Sequence, residues 1–241
     1  MLRQFEVYYQ AQMNLHDKQV VGFEALARWR HPQRGMVSPA AFIPVAEEIG
    51  LISQIGEWVL LTACREAASW PGTQRIAVNL SPMQFSTPGL VDTVAAALAT
   101  SGLPAERLEL EITESVLLDD TAATLAILHQ LRSLGIRIAM DDFGTGYSSL
   151  GYLRSFPFDK VKIDQSFIRD MPTDGDSAAI VKAIIGLGIS LGISTTAEGV
   201  ETEEQLNRLR AEGCTDIQGY LLSKPVPAAE VEAVLNRSIH P

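Results

Sequence analysis

Metal-capable or charge-balancing side chains recur at the ends of short, apolar, strand-like runs in this sequence. They are Glu24, Asn79, Glu111, the adjacent pair Asp141 and Asp142, Lys162 with Asp164, Glu198 and Gln218. Carboxylate and amide oxygens are the preferred ligands of hard cations such as Mg²⁺ and Mn²⁺. Two adjacent carboxylates repel each other and need compensation, so Asp141 and Asp142 are interpreted as ligands, at least one of them between two ions. The pattern predicts an oxygen-rich metal centre.

Each of these residues has an ordinary interpretation when it is considered alone. A single Asp or Glu that closes a strand is more often a solvated loop residue or a helix N-cap. A lone Lys162 would usually lie on the surface, and Asn79 could cap the turn into the next helix. The metal interpretation therefore depends on seven of eight candidate strands ending in such a side chain. The four histidines have no ligand spacing, which disfavours zinc.

A repeated order of strand, loop and amphipathic helix must position these side chains. The candidate strands are 5–12, 20–29, 75–81, 107–113, 137–142, 160–164, 194–199 and 215–220. Apolar residues at helical spacing lie between them, as in TAATLAILHQLRSLG. Eight strands alternating with helices predict an α/β fold, a TIM-like (β/α)8 barrel, and an open doubly wound sheet is the alternative. The carboxyl ends of parallel barrel strands meet on one face, so the polar residues are expected to share one pocket.

The connection between the first two candidate strands departs from this order. MNLHDKQ is too short for a helical crossover, so we expect the first strand to be antiparallel to the second. The length of 241 residues suits one barrel.

The bulk properties exclude several classes of partner. The formal net charge of −10 argues against nonspecific nucleic-acid binding, so no DNA partner is expected, and against docking to an anionic membrane. The longest uncharged stretch, residues 183–197, is too short to span a bilayer, and direct membrane insertion is not expected. Cys64 and Cys214 have no CxxC spacing and are interpreted as reduced thiols. We expect a cytoplasmic domain, whose parent protein could be membrane-anchored.

Seven ordered blocks of the sequence resemble the EAL-domain family of bacterial cyclic di-GMP phosphodiesterases. The blocks are Glu24-Ala25-Leu26 with Arg28, Asn79-Leu80-Ser81, Glu111-Ile112-Thr113-Glu114, Asp141-Asp142-Phe143-Gly144-Thr145-Gly146-Tyr147, Lys162-Ile163-Asp164, Glu198-Gly199-Val200-Glu201, and Gln218-Gly219-Tyr220 followed by Lys224-Pro225. A three-residue match alone would be worthless, whereas seven blocks in order along nearly the entire chain are highly specific.

The resemblance implies hydrolysis of cyclic di-GMP to linear 5′-pGpG, with two Mg²⁺ or Mn²⁺ ions as cofactors and Ca²⁺ as an inhibitor. It implies that the metal ligands are Glu24, Asn79, Glu111, Asp141, Asp142, Asp164 and Glu198. The implied catalytic residues are Glu24, Asp142, Lys162 and Glu198. The implied substrate-binding residues are Gln10, Leu26, Arg28, Ser81, Glu201, Gln218 and Pro225, with Arg28 on a phosphate. Glu114 would anchor the loop after Asp142, which the family links to dimerisation.

The resemblance also bears on domain organisation. Residues 1–241 are expected to form a single EAL phosphodiesterase domain from a larger regulatory protein, with fused sensory or diguanylate-cyclase-like domains and a homodimeric assembly. The alternative is a non-catalytic cyclic di-GMP receptor or a protein-interaction domain. Degenerate members of that kind generally lose metal ligands or the loop after the paired aspartates, whereas this sequence keeps both.

Overall fold

A computed structural model describes residues 4–117, 121–145 and 156–236 of the chain. Its strands are β1 (Phe5–Asn14), β2 (Val20–His31), β3 (Gly35–Val37), β4 (Arg75–Leu80), β5 (Leu108–Thr113), β6 (Arg137–Phe143), β7 (Lys160–Ile163), β8 (Ser194–Ala197), β9 (Asp216–Gln218) and β10 (Val226–Pro227). Its helices are α1 (Pro39–Glu48), α2 (Ile52–Ser69), α3 (Pro82–Phe85), α4 (Leu90–Ser101), α5 (Thr121–Ser133), α6 (Gln165–Asp170), α7 (Gly175–Leu191), α8 (Glu203–Glu212) and α9 (Ala228–Leu235).

Eight of these strands close into a barrel. They follow one another in the order β1, β9, β8, β7, β6, β5, β4 and β2, and β2 pairs again with β1. Strands β2 and β4 to β9 run parallel, whereas β1 is antiparallel to both β2 and β9. The predicted TIM-like α/β barrel with an antiparallel first strand is therefore confirmed. The short strands β3 and β10, which the sequence analysis did not predict, extend β2 and β1 outside the closed ring.

Residues along β5 alternate between an apolar outer face and a polar inner face. In β5, Leu108, Leu110 and Ile112 are fully buried and belong to the hydrophobic core. Glu109 and Glu111 lie between them and accept hydrogen bonds from two lysines of β7. This alternation follows from the two-residue period of a strand. The apolar core therefore lies between strands and helices, while the interior of the barrel holds charged and amide side chains.

The helices cover the outer face of the barrel and return the chain to the amino ends of the strands. Helix α2 buries Ile55, Val59 and Leu60 along one side, and Trp70 just after it packs against Phe23 of β2 with ring centroids 5.0 Å apart. Helix α8 begins with a capping box between Thr202 and Gln205. This capping box sets where α8 begins.

Two further observations concern expectations from composition. Cys64 and Cys214 are both buried free thiols. Within the described ranges, none of the helices has the length and apolar character needed to cross a bilayer.

Candidate active site

The two adjacent aspartates lie in a β-bulge near the end of β6. The register between β6 and β7 shifts between Met140 and Phe143, and Asp142 has a φ of 52°, which is uncommon for a residue other than glycine. Neighbours in a regular strand point to opposite faces, but a bulge redirects side chains. One carboxylate oxygen each from Asp141, Asp142 and Glu198 consequently lie within 4.8 Å of one another.

Lys162 lies among carboxylates that come from several strands. Its Nζ is 2.7 Å from Glu198 Oε1, 2.8 Å from Glu111 Oε2, 3.1 Å from Asp141 Oδ1 and 3.6 Å from Glu24 Oε2. The side chain is 1% exposed, so the interpretation of a surface lysine does not hold. The carboxylates belong to β2, β5, β6 and the residue that follows β8. Strand ends that are far apart in sequence therefore meet at one place, as the barrel topology requires.

Glu24 is held by an amide donor on each of its oxygens. Asn79 Nδ2 donates to Glu24 Oε1 over 2.6 Å, and Gln218 Nε2 donates to Glu24 Oε2 over 2.5 Å. Gln218 Nε2 also donates to Gln10 Oε1 over 3.2 Å. Burial opposes ionisation of Glu24, but Lys162 and the two amides outweigh it and lower the pKa of this carboxyl. Glu24 is thereby kept in the ionised form that a metal ligand needs.

Glu111, Asp142 and Glu198 ionise with more difficulty than Glu24. Burial raises the pKa of Glu111 well above its usual value, and burial, opposed by Lys162, raises the pKa of Glu198 to about 8. Burial and repulsion from Asp141 raise the pKa of Asp142 to about 6. Burial also opposes the charge of Lys162, but the surrounding carboxylates outweigh it and hold the lysine pKa well above its usual value. The ammonium of Lys162 does not fully compensate this acidic cluster.

The donor set fits a divalent metal ion. Glu111 Oε1 is buried and has no hydrogen-bond partner among the residues that the structure describes, an arrangement that is costly for a carboxylate oxygen. The three carboxylate oxygens of Asp141, Asp142 and Glu198 are close enough together to face one ion. Hard cations satisfy such oxygens directly and remove the repulsion between them.

Asp164 lies at the edge of this cluster and has a clear structural role. It is the N-cap of α6, where Oδ1 accepts the backbone N–H of Ser166 over 2.9 Å and also the hydroxyl of the same residue. Asp164 is near enough to Asp142 to contribute to the raised pKa there, after burial and Asp141. Asp164 therefore caps α6 and also lies close to Asp142.

A cavity of about 370 Å³ opens beside the acidic cluster. Its walls are mostly apolar side chains of β2, α1 and α2, and six of the predicted site residues line it: Leu26, Arg28, Asn79, Ser81, Asp141 and Asp142. Arg28 is half-buried, donates to the carbonyl of Ala27 over 3.0 Å, and lies 5.7 Å from the ring centroid of Tyr8. The cavity thus combines apolar walls with a guanidinium at its edge, a combination suited to an anionic ligand with flat rings.

The loop after Asp142 contacts Glu114, which directly follows the neighbouring strand β5. Glu114 Oε1 accepts the backbone N–H of Gly144 over 2.9 Å, and Gly144 has a φ of 98°. The hydrogen bond joins the end of β5 to the segment that carries Asp142. Gly146 and Tyr147 of the same sequence block lie outside the described residues.

Two of the predicted substrate-binding residues, Glu201 and Pro225, do not line the cavity, and between described atoms they form no hydrogen bond or ion pair with the cluster. Glu201 is exposed, and its backbone N–H donates to Gln205 Oε1 over 2.8 Å. Pro225 is half-buried directly before β10. Gln10, in contrast, lies beside the cluster through Gln218 and donates to the carbonyl of Ser223 over 3.3 Å.

The sequence analysis missed several residues that support the site. Ser81 Oγ donates to Glu47 Oε1 over 2.7 Å, and Glu47 lines the cavity. Gln12, Glu109 and Lys160 form a buried polar layer next to Gln218. The signal that could have revealed this layer is the two-residue spacing of Glu109 from Glu111 and of Lys160 from Lys162, which predicts one shared strand face.

Comparison with known proteins agrees with this geometry. The family model described as EAL domain matches residues 2–225. Protein y4lL of Sinorhizobium fredii is 55% identical over 232 residues, 96% of this chain and 28% of that protein. The bifunctional diguanylate cyclase/cyclic di-GMP phosphodiesterase MucR of Pseudomonas aeruginosa is 48% identical over 235 residues, 96% of this chain and 34% of that protein.

A solved structure described as the PaMucR phosphodiesterase in a c-di-GMP complex superposes with a TM-score of 0.92 at 48% identity, covering 95% of this chain and 94% of that chain. The chain spans about a third or less of the length of the first curated relatives that it matches. The match extends over nearly all of the barrel and includes every strand that carries the acidic cluster. This chain therefore belongs to the EAL domain family.

Proposed function

We propose that this chain is a metal-dependent phosphodiesterase that hydrolyses cyclic di-GMP to linear 5′-pGpG. The observation that carries the proposal is the convergence around Lys162 of carboxylates from β2, β5, β6 and the residue after β8, next to the cavity that Arg28 lines. The choice of substrate is supported by MucR, which is named a cyclic di-GMP phosphodiesterase, and by the complex of PaMucR with that nucleotide. Hydrolysis lowers the level of this second messenger in the cell.

Two Mg²⁺ or Mn²⁺ ions are the proposed cofactors. Glu24, Asn79, Glu111 and Asp141 would hold one of them, and Asp141, Asp142 and Asp164, with Glu198, would surround the other. Two observations support this assignment: Glu111 Oε1 has no hydrogen-bond partner within the described ranges, and three carboxylate oxygens converge. A bound divalent cation supplies charge neutralisation at the phosphate and acidifies water.

Four side chains have direct roles in the proposed reaction. Arg28 donates to a phosphate oxygen and fixes the nucleotide at the rim of the cavity. Lys162 donates a hydrogen bond to the attacking water, while Glu198 or Asp142 accepts the proton that this water loses. The water oxygen would form a bond to phosphorus while the bond to the 3′ oxygen breaks. The departing 3′ oxygen takes up a proton and becomes a hydroxyl, so that the linear product keeps a 5′ phosphate. The proximity of Glu198 Oε1 to Lys162 Nζ, 2.7 Å, supports the pairing of these two roles.

The remaining parts of the proposal concern regulation and assembly. Ca²⁺ inhibits, because its longer and looser coordination would misplace the water. The chain acts as a homodimer in the cytoplasm, within a parent protein that carries sensory or diguanylate-cyclase-like domains. The greater length of the curated relatives and the bifunctional name of MucR support such a fusion.

The proposed activity is tested by incubating the purified protein with cyclic di-GMP and Mg²⁺ and separating the nucleotides by chromatography. We expect 5′-pGpG, and no product after exhaustive chelation. Glu24→Gln should abolish the product while Glu232→Gln, at an exposed position of α9, should not change it. Recovery of intact nucleotide from a folded, metal-loaded sample would instead favour a cyclic di-GMP receptor.

A further inference from the structure

A buried row of polar side chains connects the interior of the barrel to Glu24. Lys160 Nζ donates to Gln12 Oε1 over 3.0 Å, Gln12 Nε2 donates to Gln218 Oε1 over 3.0 Å, and Gln218 Nε2 donates to Glu24 Oε2 over 2.5 Å. Lys160 also donates to Glu109 Oε1 over 2.6 Å. These five residues come from five different strands, and each is buried: Gln12 2%, Gln218 4%, Glu24 6%, Glu109 1% and Lys160 0% exposed.

The direction of every hydrogen bond in this row is set by its two ends. A lysine ammonium has only donors, and an ionised carboxylate has only acceptors, whereas a glutamine amide has one donor end and one acceptor end. With Lys160 at one end, Gln12 must turn its oxygen towards the lysine and its nitrogen towards Gln218. Gln218 must then turn its nitrogen towards Glu24.

Removal of Lys160 would make a second arrangement accessible. Gln12 would hold a buried carbonyl oxygen without a donor, and a reversal of its amide would relieve that cost. Gln218 would then also reverse and turn its oxygen towards the carboxylate of Glu24, where two acceptors repel each other. Lys160 therefore favours the orientation in which Gln218 Nε2 donates to Glu24 Oε2. This hydrogen bond keeps the Glu24 carboxylate ionised and in place.

We propose that Lys160, held by Glu109, is a positioning residue that acts through Gln12 and Gln218 to orient Glu24 for binding a divalent metal. The inference rests on the metal-binding part of the proposed function. It assigns a role to an ion pair that touches neither the nucleotide nor the acidic cluster directly.

Lys160 and Glu109 must be removed together, because removal of one would leave the charge of the other buried. Arg137, whose Nε lies 3.5 Å from Glu109 Oε2, is 30% exposed and keeps its access to solvent. Glu109→Leu with Lys160→Met replaces both members by apolar side chains of similar volume, a change that buried ion pairs often tolerate. Glu109→Gln with Lys160→Gln removes both charges but retains a donor for Gln12. Thr196→Val is the matched control, because Thr196 is fully buried on the neighbouring strand β8 and its hydroxyl has no hydrogen-bond partner in the described part of the chain.

In the experiment, the metal-free protein is titrated with Mn²⁺ alone, and the binding is measured by isothermal titration calorimetry. The Leu/Met double variant should bind Mn²⁺ at least about tenfold more weakly, which is ~1.4 kcal/mol. The Gln/Gln variant should recover most of this loss, and Thr196→Val should match the wild type. Thermal unfolding in the presence of chelator should show that the variants are folded. Cyclic di-GMP hydrolysis by the Leu/Met variant should be reduced and should return at higher Mn²⁺ concentration.

Several results would overturn the inference. Wild-type Mn²⁺ affinity in a folded Leu/Met variant would do so, as would equal weakening in Thr196→Val. If the Leu/Met variant does not fold, the Gln/Gln variant tests the inference in its place. A Gln/Gln variant that binds Mn²⁺ as weakly as Glu24→Gln would refute the idea that a hydrogen-bond donor to Gln12 is sufficient. A wild type that binds no Mn²⁺ refutes the inference, whereas one that binds Mn²⁺ without hydrolysing cyclic di-GMP refutes only the proposed activity.

Discussion

Replacement of Glu114 by alanine tests whether the loop after β6 must be anchored for the site to work. Glu114 Oε1 accepts the backbone N–H of Gly144 over 2.9 Å. Gly144 is two residues from Asp142, whose φ of 52° is a conformation that the surrounding structure must maintain. Loss of this hydrogen bond should therefore allow the bulge to relax and move the Asp142 carboxylate away from Asp141 and Glu198.

The size of the effect follows from the type of hydrogen bond. A hydrogen bond to a charged group contributes about 1.5–3 kcal/mol. If this energy holds Asp142 in the reactive arrangement, its loss corresponds to a reduction of about 10- to 150-fold in kcat/KM. Glu114→Gln keeps a neutral acceptor of the same length, so it should lose about 1 kcal/mol less and retain about fivefold more activity than the alanine variant.

The assay combines steady-state hydrolysis of cyclic di-GMP with calorimetric titration of Mn²⁺ and size measurement of the assembly. Glu106→Ala is the control, because Glu106 is exposed on the turn before β5. If Glu114 only favoured a helix amino end, it would contribute about 0.3–1 kcal/mol to stability and nothing to catalysis. Near-normal turnover, metal affinity and assembly in Glu114→Ala would refute the anchoring argument.

Three further predictions concern the metal site and the fold. Glu111→Gln should abolish hydrolysis and weaken Mn²⁺ binding while the far-ultraviolet circular dichroism stays unchanged; normal metal affinity would contradict the role of the buried Glu111 Oε1. Because burial raises the pKa of Glu198 from 4.5 to about 8, this carboxyl binds protons more tightly when folded. The contribution of Glu198 should lower the stability of the metal-free protein as pH rises from about 4.5 to about 8. Over the same range, the affinity for Mn²⁺ should rise because the proton no longer competes with the metal. A calorimetric Mn²⁺ affinity that is independent of pH between about 6 and 8 would contradict this prediction. Gly219→Ala should lower the melting temperature by about 3–10 °C, since the added Cβ would overlap the backbone N and O of Val200, whereas the exposed Glu232→Gln should leave the melting temperature unchanged.

Much of the fold could be predicted because the local signals are periodic. All eight barrel strands begin within one residue of the predicted positions, since apolar alternation and the following turns mark them in the sequence. The antiparallel β1 followed from the short connection to β2, which cannot contain a crossover. The strands β3 and β10, of three and two residues, were missed because they are too short to show any period.

The sequence by itself determined which residue types stand at the strand ends, and therefore that an acidic cluster would form wherever those ends meet. Only the tertiary structure decided how the members of this cluster face one another. Asp141 and Asp142 converge because a register shift between β6 and β7 breaks the alternation that the sequence pattern implies. Likewise, Lys160 and Gln12 lie 148 positions apart and become neighbours only when the barrel closes. Contacts of this kind depend on register and closure across several strands, which no local pattern in the chain encodes.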